Sequence, residues 1–395
     1  MNWEKVSLRE VIIDLASGGR PKGGAVESGI FSIGAEHLDG KGGFNISNPK
    51  FIPIEYFNTI GKAKIKNEDI LVVKDGATTG KVSYVGKNFP LNEAAINEHV
   101  FRIELNLKLI FPKYCFYYLI SDEGQRNILS DFRGATVGGI SKAILDKIKI
   151  PLPPLPVQKR IAEILDAADD LKRKDKALLK KYDELAQSIF IDMFGDPVKN
   201  EKGWEVKKFG VEFNSIRYGT GSPPKYSESG IPFLRATNIK NGGIVEKGMV
   251  YLTHEEACKI EKCYVNEGDL LLVRSGANTG DCAFVPQKYS RSLAGYDLII
   301  ELDINKSRFY NYLINSKWGK AMVDKLSRRA GQPHLNAEQV RNMEFISPTY
   351  NKLKEFKESL DCIDKLKEKT EKVMLKNIDL FQTLTQKAFK GELVW

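Results

Sequence analysis

The stretch Gly76-Ala77-Thr78-Thr79-Gly80-Lys81 comes nearest to a catalytic motif, with the glycines, hydroxyls and lysine that cradle a nucleotide phosphate. Its spacing is wrong for that task. One residue too few separates the glycines, and Val82 stands where a magnesium-binding Ser or Thr is needed. A second copy, Gly276-Ala277-Asn278-Thr279-Gly280-Asp281, puts a carboxylate where a phosphate requires a cation. What remains is a tight turn with exposed backbone amides, which can hold a nucleic-acid phosphate or simply close a hairpin. His37, His99, His254 and His334 are isolated, without the H-x-x-x-H spacing of a metal site. No G-x-S-x-G elbow is present, nor an Asn-Pro-Pro-Tyr-type tetrapeptide for an extruded base, nor a strand–G-x-G–helix fingerprint for a dinucleotide or adenosyl cofactor. Cys258 and Cys263 have no neighbour that would activate a thiol. We expect no catalytic residue, no metal ligand and no cofactor in this chain.

Basic and polar side chains at turns are better represented, and they come in two sets. Arg20 and Lys22 correspond to Lys225, and Lys74 to Arg274. Thr78 and Thr79 correspond to Asn278 and Thr279, while Arg133 and Thr136 correspond to Arg328, Arg329, Gln332 and His334. Arg and Lys suit phosphates and guanine edges, Asn and Gln suit adenine, and Thr can meet a thymine methyl. Exposed loops are polar in any protein, but recurrence of the basic positions favours nucleic-acid contact. Their differing neighbours suit two globules that read different sequences.

These sets recur because the chain is duplicated, with a period of about 200 residues. Trp3-Glu4-Lys5-Val6 returns as Trp204-Glu205-Val206-Lys207, and Gly29-Ile30-Phe31-Ser32-Ile33 as Gly230-Ile231-Pro232-Phe233-Leu234. The closest match sets Asp69 to Gly80 against Asp269 to Gly280. Such a period exceeds that of solenoids and propellers, so the reading is two tandem homologous domains. A chain of 395 residues accommodates them. Residues 1–156 and 196–352 are rich in Gly, aromatic and β-branched residues, with short runs such as Ile70 to Val73, Val100 to Ile103 and Leu270 to Val273 that read as strands. Residues 114–129 and 309–326 read as helices. The net charge is +9, carried mainly by the two globules, which suggests a polyanionic partner. Five cysteines without a C-x-x-C pair, an N-terminus without an apolar core and no membrane-length apolar run point to a cytoplasmic protein.

Each globule is followed by a charged segment of another kind, 157–195 and 353–391. Val157, Ile161, Ile164, Ala168, Leu171, Asp175, Leu178, Tyr182, Leu185 and Ile189 keep a 4-3-4-3 spacing. Phe356, Ser359, Ile363, Leu366, Thr370, Val373, Asn377, Leu380 and Leu384 continue the pattern in the second copy. Asp175 and Thr370 fall at the same level, either to fix register or as a locally solvated stretch. A helix of this length reaches about 58 Å and must project from its globule. Connectivity then makes the two helices antiparallel. The expected fold class is α+β: two tandem mixed α/β globules separated by two long antiparallel coiled-coil helices, a dumbbell with pseudo-twofold symmetry.

Three stretches carry a resemblance to a known family. They are Ile148-Lys149-Ile150-Pro151-Leu152-Pro153-Pro154-Leu155-Pro156-Val157-Gln158-Lys159-Arg160-Ile161-Ala162, the run from Arg133 to Ser141, and Gln386-Lys387-Ala388-Phe389-Lys390-Gly391-Glu392-Leu393. Together with the duplication, this resembles the specificity (S) subunit of type I restriction-modification systems over essentially the full length. Ile346-Ser347-Pro348-Thr349-Tyr350 departs from the proline-rich pattern of the first copy. The resemblance implies two target-recognition domains reading the halves of an asymmetric bipartite site in double-stranded DNA. It implies a non-catalytic chain that docks two methyltransferase subunits, which carry S-adenosylmethionine and methylate adenine at N6. Restriction subunits would complete an endonuclease. Ile161, Leu171, Leu178, Tyr182, Leu185, Phe356, Leu366, Val373, Leu380 and Leu384 are then candidates for the subunit interface. A stand-alone DNA-modifying enzyme and a coiled-coil scaffold for RNA or protein are the alternatives from other classes. The first would turn over alone, and the second would favour single strands.

Overall fold

The structure, a computed structural model, describes residues 3–134, 138–327 and 333–393. The chain divides into two units, Met1–Lys176 with Glu371–Trp395, and Ala177–Thr370. The first is built on a four-stranded antiparallel sheet in the order Ile12–Ser17, Val100–Leu105, Ile70–Val73, Val82–Tyr84. One face, with Ile70, Val72 and Ile103, packs on helix Pro112–Ile120 and on Ile161 and Leu165 of the first long helix. The other, with Leu71, Val73 and Val100, packs on a three-stranded sheet through Phe31, Ile33 and Ile96. Both faces being covered, Ile70–Val73 is an uninterrupted apolar run rather than an alternating one.

The second unit repeats this plan in the order Ser215–Tyr218, Leu298–Glu301, Leu270–Leu272, Cys282–Phe284. In both units the smaller sheet contains one parallel pair, Ile30–Ile33 with Ala94–Ile96 and Ile231–Leu234 with Ser292–Ala294. The duplication therefore extends to strand order and direction.

One exchange shows how closely the register is kept. Ala16 pairs with Arg102, which pairs with Leu71; Arg217 pairs with Ile299, which pairs with Leu271. The arginine has moved to the neighbouring strand at the same level of the sheet. Either way it reaches the equivalent carboxylate: Arg102 lies 3.2 Å from Asp69, and Arg217 3.7 Å from Asp269. Each also donates to an equivalent carbonyl, that of Lys64 or Tyr264. The sheet specifies a buried charge at that place, and either of two adjacent strands can supply it.

The helices expected over 114–129 and 309–326 are each two. Pro112–Ile120 is followed by Asp122–Leu129, and Ile304–Asn315 by Lys317–Ser327. Ser121 and Ser316 cap the second helix of each pair by accepting from the amides of Gly124 and Gly319, at 3.1 and 3.2 Å. A Cβ at Gly124 or Gly319 would stand 2.0 or 2.3 Å from the carbonyl oxygen of Tyr118 or Leu313. Apolar periodicity runs through the break, so pattern alone joins the two helices.

The long helices are Leu155–Phe194 and Tyr350–Lys390, and the second starts three residues before the segment expected at 353–391. Gly195 and Gly391, with φ of 75° and 74°, supply the left-handed residue that ends each helix. Within the first unit, Lys172 sits 3.5 Å over the Phe381 ring, and Asn377 donates to Asp175 at 2.8 Å. Within the second, Lys367 meets Asp183 at 2.5 Å, and Phe190 and Phe194 pack on Phe356. Numbers rise along one helix as they fall along the other, so the segments are antiparallel in each unit. Asp175 is thus hydrogen-bonded and Thr370 buried, which favours a polar contact that sets register over a solvated stretch. Trp3 and Leu393 pack against the same core, bringing the two ends of the first unit together.

Candidate nucleic-acid interface

In the first unit, Ser17, Val73 and Val100 lie at one end of the four-stranded sheet, and the loops leaving them meet there. The Lys74 amide donates to the His99 carbonyl at 2.9 Å, while the Lys74 carbonyl accepts from Ile140 at 2.7 Å. Gly76 donates to Gly138 at 3.1 Å, and Arg133 pairs with Gly139. Lys74, Thr78, Thr79 and Arg133 are thereby gathered on one frame. Arg20 and Lys22 are exposed on the loop that follows Ser17. The frame recurs in the second unit, where the Arg274 carbonyl accepts from Leu335 at 2.7 Å and Gly219 donates to Asp297 at 2.9 Å.

The glycine turn closes a hairpin. Thr79 and Thr279 each donate their hydroxyl to the carbonyl of Gly76 or Gly276, at 2.7 Å. Each hydroxyl thus braces the turn, a bond that does not involve the threonine methyl expected to meet a thymine. Thr78 remains half-buried at the turn, and Asn278 donates to the Ala236 carbonyl at 3.3 Å. The Lys225 amide donates to Glu256 of the short helix His254–Cys258 at 3.4 Å. Thr136, Arg328, Arg329 and Gln332 lie outside the described residues.

Lys74 reaches Ser17 Oγ at 3.2 Å and Asp75 at 3.8 Å. Beside it, His99 Nδ1 is 2.5 Å from Asp75, and its Nε2 is 3.7 Å from Glu98. These acceptors suit base amino groups, and a reading for basic residues does not find them; the second copy has Ser275 in place of Asp75. Arg133 projects into solvent above Asp131, whose buried carboxyl accepts from Lys147 and Ser141 and is held well below the usual carboxylate range.

In the second unit, Arg274 lies 4.4 Å from the ring centres of both Tyr218 and Tyr296, with Nη2 2.9 Å from His334 Nε2. Both tyrosines are prominently exposed, and nothing in the local sequence pairs them. Beneath them, burial pushes the Asp297 carboxyl up to about 7, against the pull of the Arg274 amide and charge. The folded chain therefore keeps a proton that the unfolded chain loses near pH 4, and stability falls as pH rises from there to about 7. An Asp297→Asn chain is expected to be more stable than wild type at pH 8 and no more stable at pH 4. Unfolding midpoints across this range test it, and parallel curves for the two proteins would contradict it.

On the long helices, Ile161 and Phe356 are fully buried in the cores of their own units. This corrects their expected place at a subunit interface, because a partner cannot reach them. Tyr182 and Leu384 lean on those same cores. Leu171, Leu178, Leu185, Leu366, Val373 and Leu380 are instead each more than a third exposed. Among the described residues, no group of three or more His, Cys, Asp and Glu side chains could hold a metal ion, and no helix is long and apolar enough to cross a membrane.

The chain is similar to known proteins over nearly its whole length. A family model described as the type I restriction modification DNA specificity domain matches residues 1–181 and again 201–378. The type I restriction enzyme MjaVIII specificity subunit of Methanocaldococcus jannaschii is 26% identical, covering 84% of this chain and 82% of that protein. The EcoKI specificity subunit of Escherichia coli is 24% identical, covering 88% and 81%. Among solved structures, the S subunit of a type I restriction-modification system from M. genitalium superposes with a TM-score of 0.58 at 15% identity, covering 98% and 96%. The double match, at the same two places as the duplicated globules, shows that this chain belongs to the specificity subunits of type I restriction-modification systems.

Proposed function

We propose that this chain is the non-catalytic DNA reader of its complex. It recognises an asymmetric, bipartite site in double-stranded DNA and docks two methyltransferase subunits that methylate adenine at N6. S-adenosylmethionine belongs to those subunits, and restriction subunits join them in the endonuclease, in the cytoplasm. One observation carries this reading: a single backbone frame is assembled twice at the end of a four-stranded sheet, with different side chains each time. Equal frames suit a common mode of docking on the duplex, and unequal side chains suit unequal half-sites. The helix pair serves as the spacer between them.

Mapping methylated adenines in cells with and without the chain tests the proposal. Methylation at one two-part sequence is expected to vanish with the chain, and persistence of that pattern would refute it. The exposed leucines of the helices are where methyltransferase subunits would dock. Leu178→Asp is expected to abolish their copurification while leaving the chain folded, since Leu178 is 38% exposed. Retained assembly would move that interface elsewhere.

A further inference from the structure

We propose that Arg274 reads a guanine in the half-site of the second unit, and that Tyr218 and Tyr296 are the residues that position it. The proposal rests on the DNA-reading function above and deepens it by naming a base and the side chains that select it.

Three separate segments build the arrangement. Tyr218 ends the strand Ser215–Tyr218, Arg274 follows Leu270–Leu272, and Tyr296 lies in the three-residue connection between Ser292–Ala294 and Leu298–Glu301. The guanidinium carbon is 4.4 Å from each ring centre, well inside the range of about 6 Å for cation–π attraction. Arginine is donor-only, so His334 Nε2, 2.9 Å from Nη2, accepts and carries no proton. The Tyr218 hydroxyl in turn accepts from the Ala337 amide at 3.1 Å, which holds that ring. Among the described residues, Arg274 Nε is buried without a partner, and Asp297 Oδ2 is likewise buried and unpartnered. The chain has therefore spent desolvation on a fixed guanidinium, at the sheet end where the loops converge.

A phosphate contact needs no such fixing, because a mobile lysine or arginine neutralises a phosphate from many directions. A base edge does need it. Guanine offers O6 and N7 as two acceptors matched to the arginine fork, and an arginine already held in place loses less entropy in meeting them. The first unit supplies the contrast on the same frame. There the position is Lys74, which has no fork; Ser17 stands in place of Tyr218, and Asn97-Glu98-His99 in place of Gly295-Tyr296-Asp297. The two units differ at this place in the way two readers of unlike half-sites should.

The test uses the full-length chain, with its preferred duplex selected from a randomised library. Wild type is expected to require guanine at one position of one half-site. Arg274→Lys, which keeps the charge, is expected to lower that preference roughly tenfold or more and leave the other positions unchanged. Tyr296→Leu should lose part of the same preference and Tyr296→Phe should keep it. Replacing that guanine by 7-deazaguanine, which removes N7, should weaken wild type but not Arg274→Lys. Unchanged selection at the other positions of the same half-site shows that the second unit is folded in each variant. An unaltered guanine preference in Arg274→Lys overturns the proposal. So does an equal loss on unrelated DNA, which would make Arg274 a phosphate contact. A wild-type chain that selects no sequence at all would instead remove the DNA-reading function itself.

Discussion

Replacing Arg102 by Ile is expected to destabilise the first unit by about 3–5 kcal/mol at pH 8, the cost of leaving a buried carboxylate without its counter-charge. Arg102 is 1% exposed, and it reaches Asp69 at 3.2 Å and Glu104 at 2.7 Å. Burial already pushes Asp69 up to about 6 against the pull of Arg102, so losing the arginine raises it further. At pH 5 the carboxyl then stays neutral in the folded state, and the loss should be smaller than at pH 8. Adding Ala16→Arg places the charge on the neighbouring strand, as Arg217 does in the other unit, and is expected to recover most of the stability. Urea unfolding at both pH values measures the effect, with amide exchange in Ile70–Val73 reporting the first unit and in Leu270–Leu272 the second. If Ala16→Arg restores nothing, the two arginines are not interchangeable and the shared register has no such consequence.

Phe190→Ala should cost the second unit a comparable amount, about 3–5 kcal/mol for an aromatic ring deleted from a core. Phe190 is 2% exposed, with its ring 4.8 Å from Tyr312, 5.7 Å from Phe356 and 5.8 Å from Phe309. Leu185, five residues earlier on the same helix and 44% exposed, is the control; its truncation should change stability by only about 0.5 kcal/mol. A long amphipathic helix draws its stability from the faces it buries rather than from propensity. A loss from Phe190→Ala as small as that from the Leu185 control would mean that Phe190 is not part of the core of that unit.

Much of this architecture was legible in the chain itself. The duplication is visible as repeated residues around Asp69 and Asp269, and both long helices announce themselves by seam spacing and by Gly195 and Gly391 at their ends. Ser121 and Ser316 escaped because a capped break can leave apolar periodicity intact. That the Thr79 and Thr279 hydroxyls brace their turns is seen only from the distance to the Gly76 or Gly276 carbonyl. Ile161 and Phe356 share the seam spacing of exposed Leu171 and Leu366, and period alone cannot say which part of a seam its own globule covers.

What the sequence determined by itself was whatever depends on neighbours a few residues apart: turns, helix ends, apolar periods and the fact of two homologous copies. The family resemblance rode on those same local features. The tertiary structure decided which distant residues meet. Tyr218, Arg274 and Tyr296 come together only because the register of one sheet sets the ends of its strands side by side. Arg102 and Arg217 serve one purpose from different strands for the same reason. Strand pairing is non-local, so such juxtapositions leave no mark within any short window of the chain.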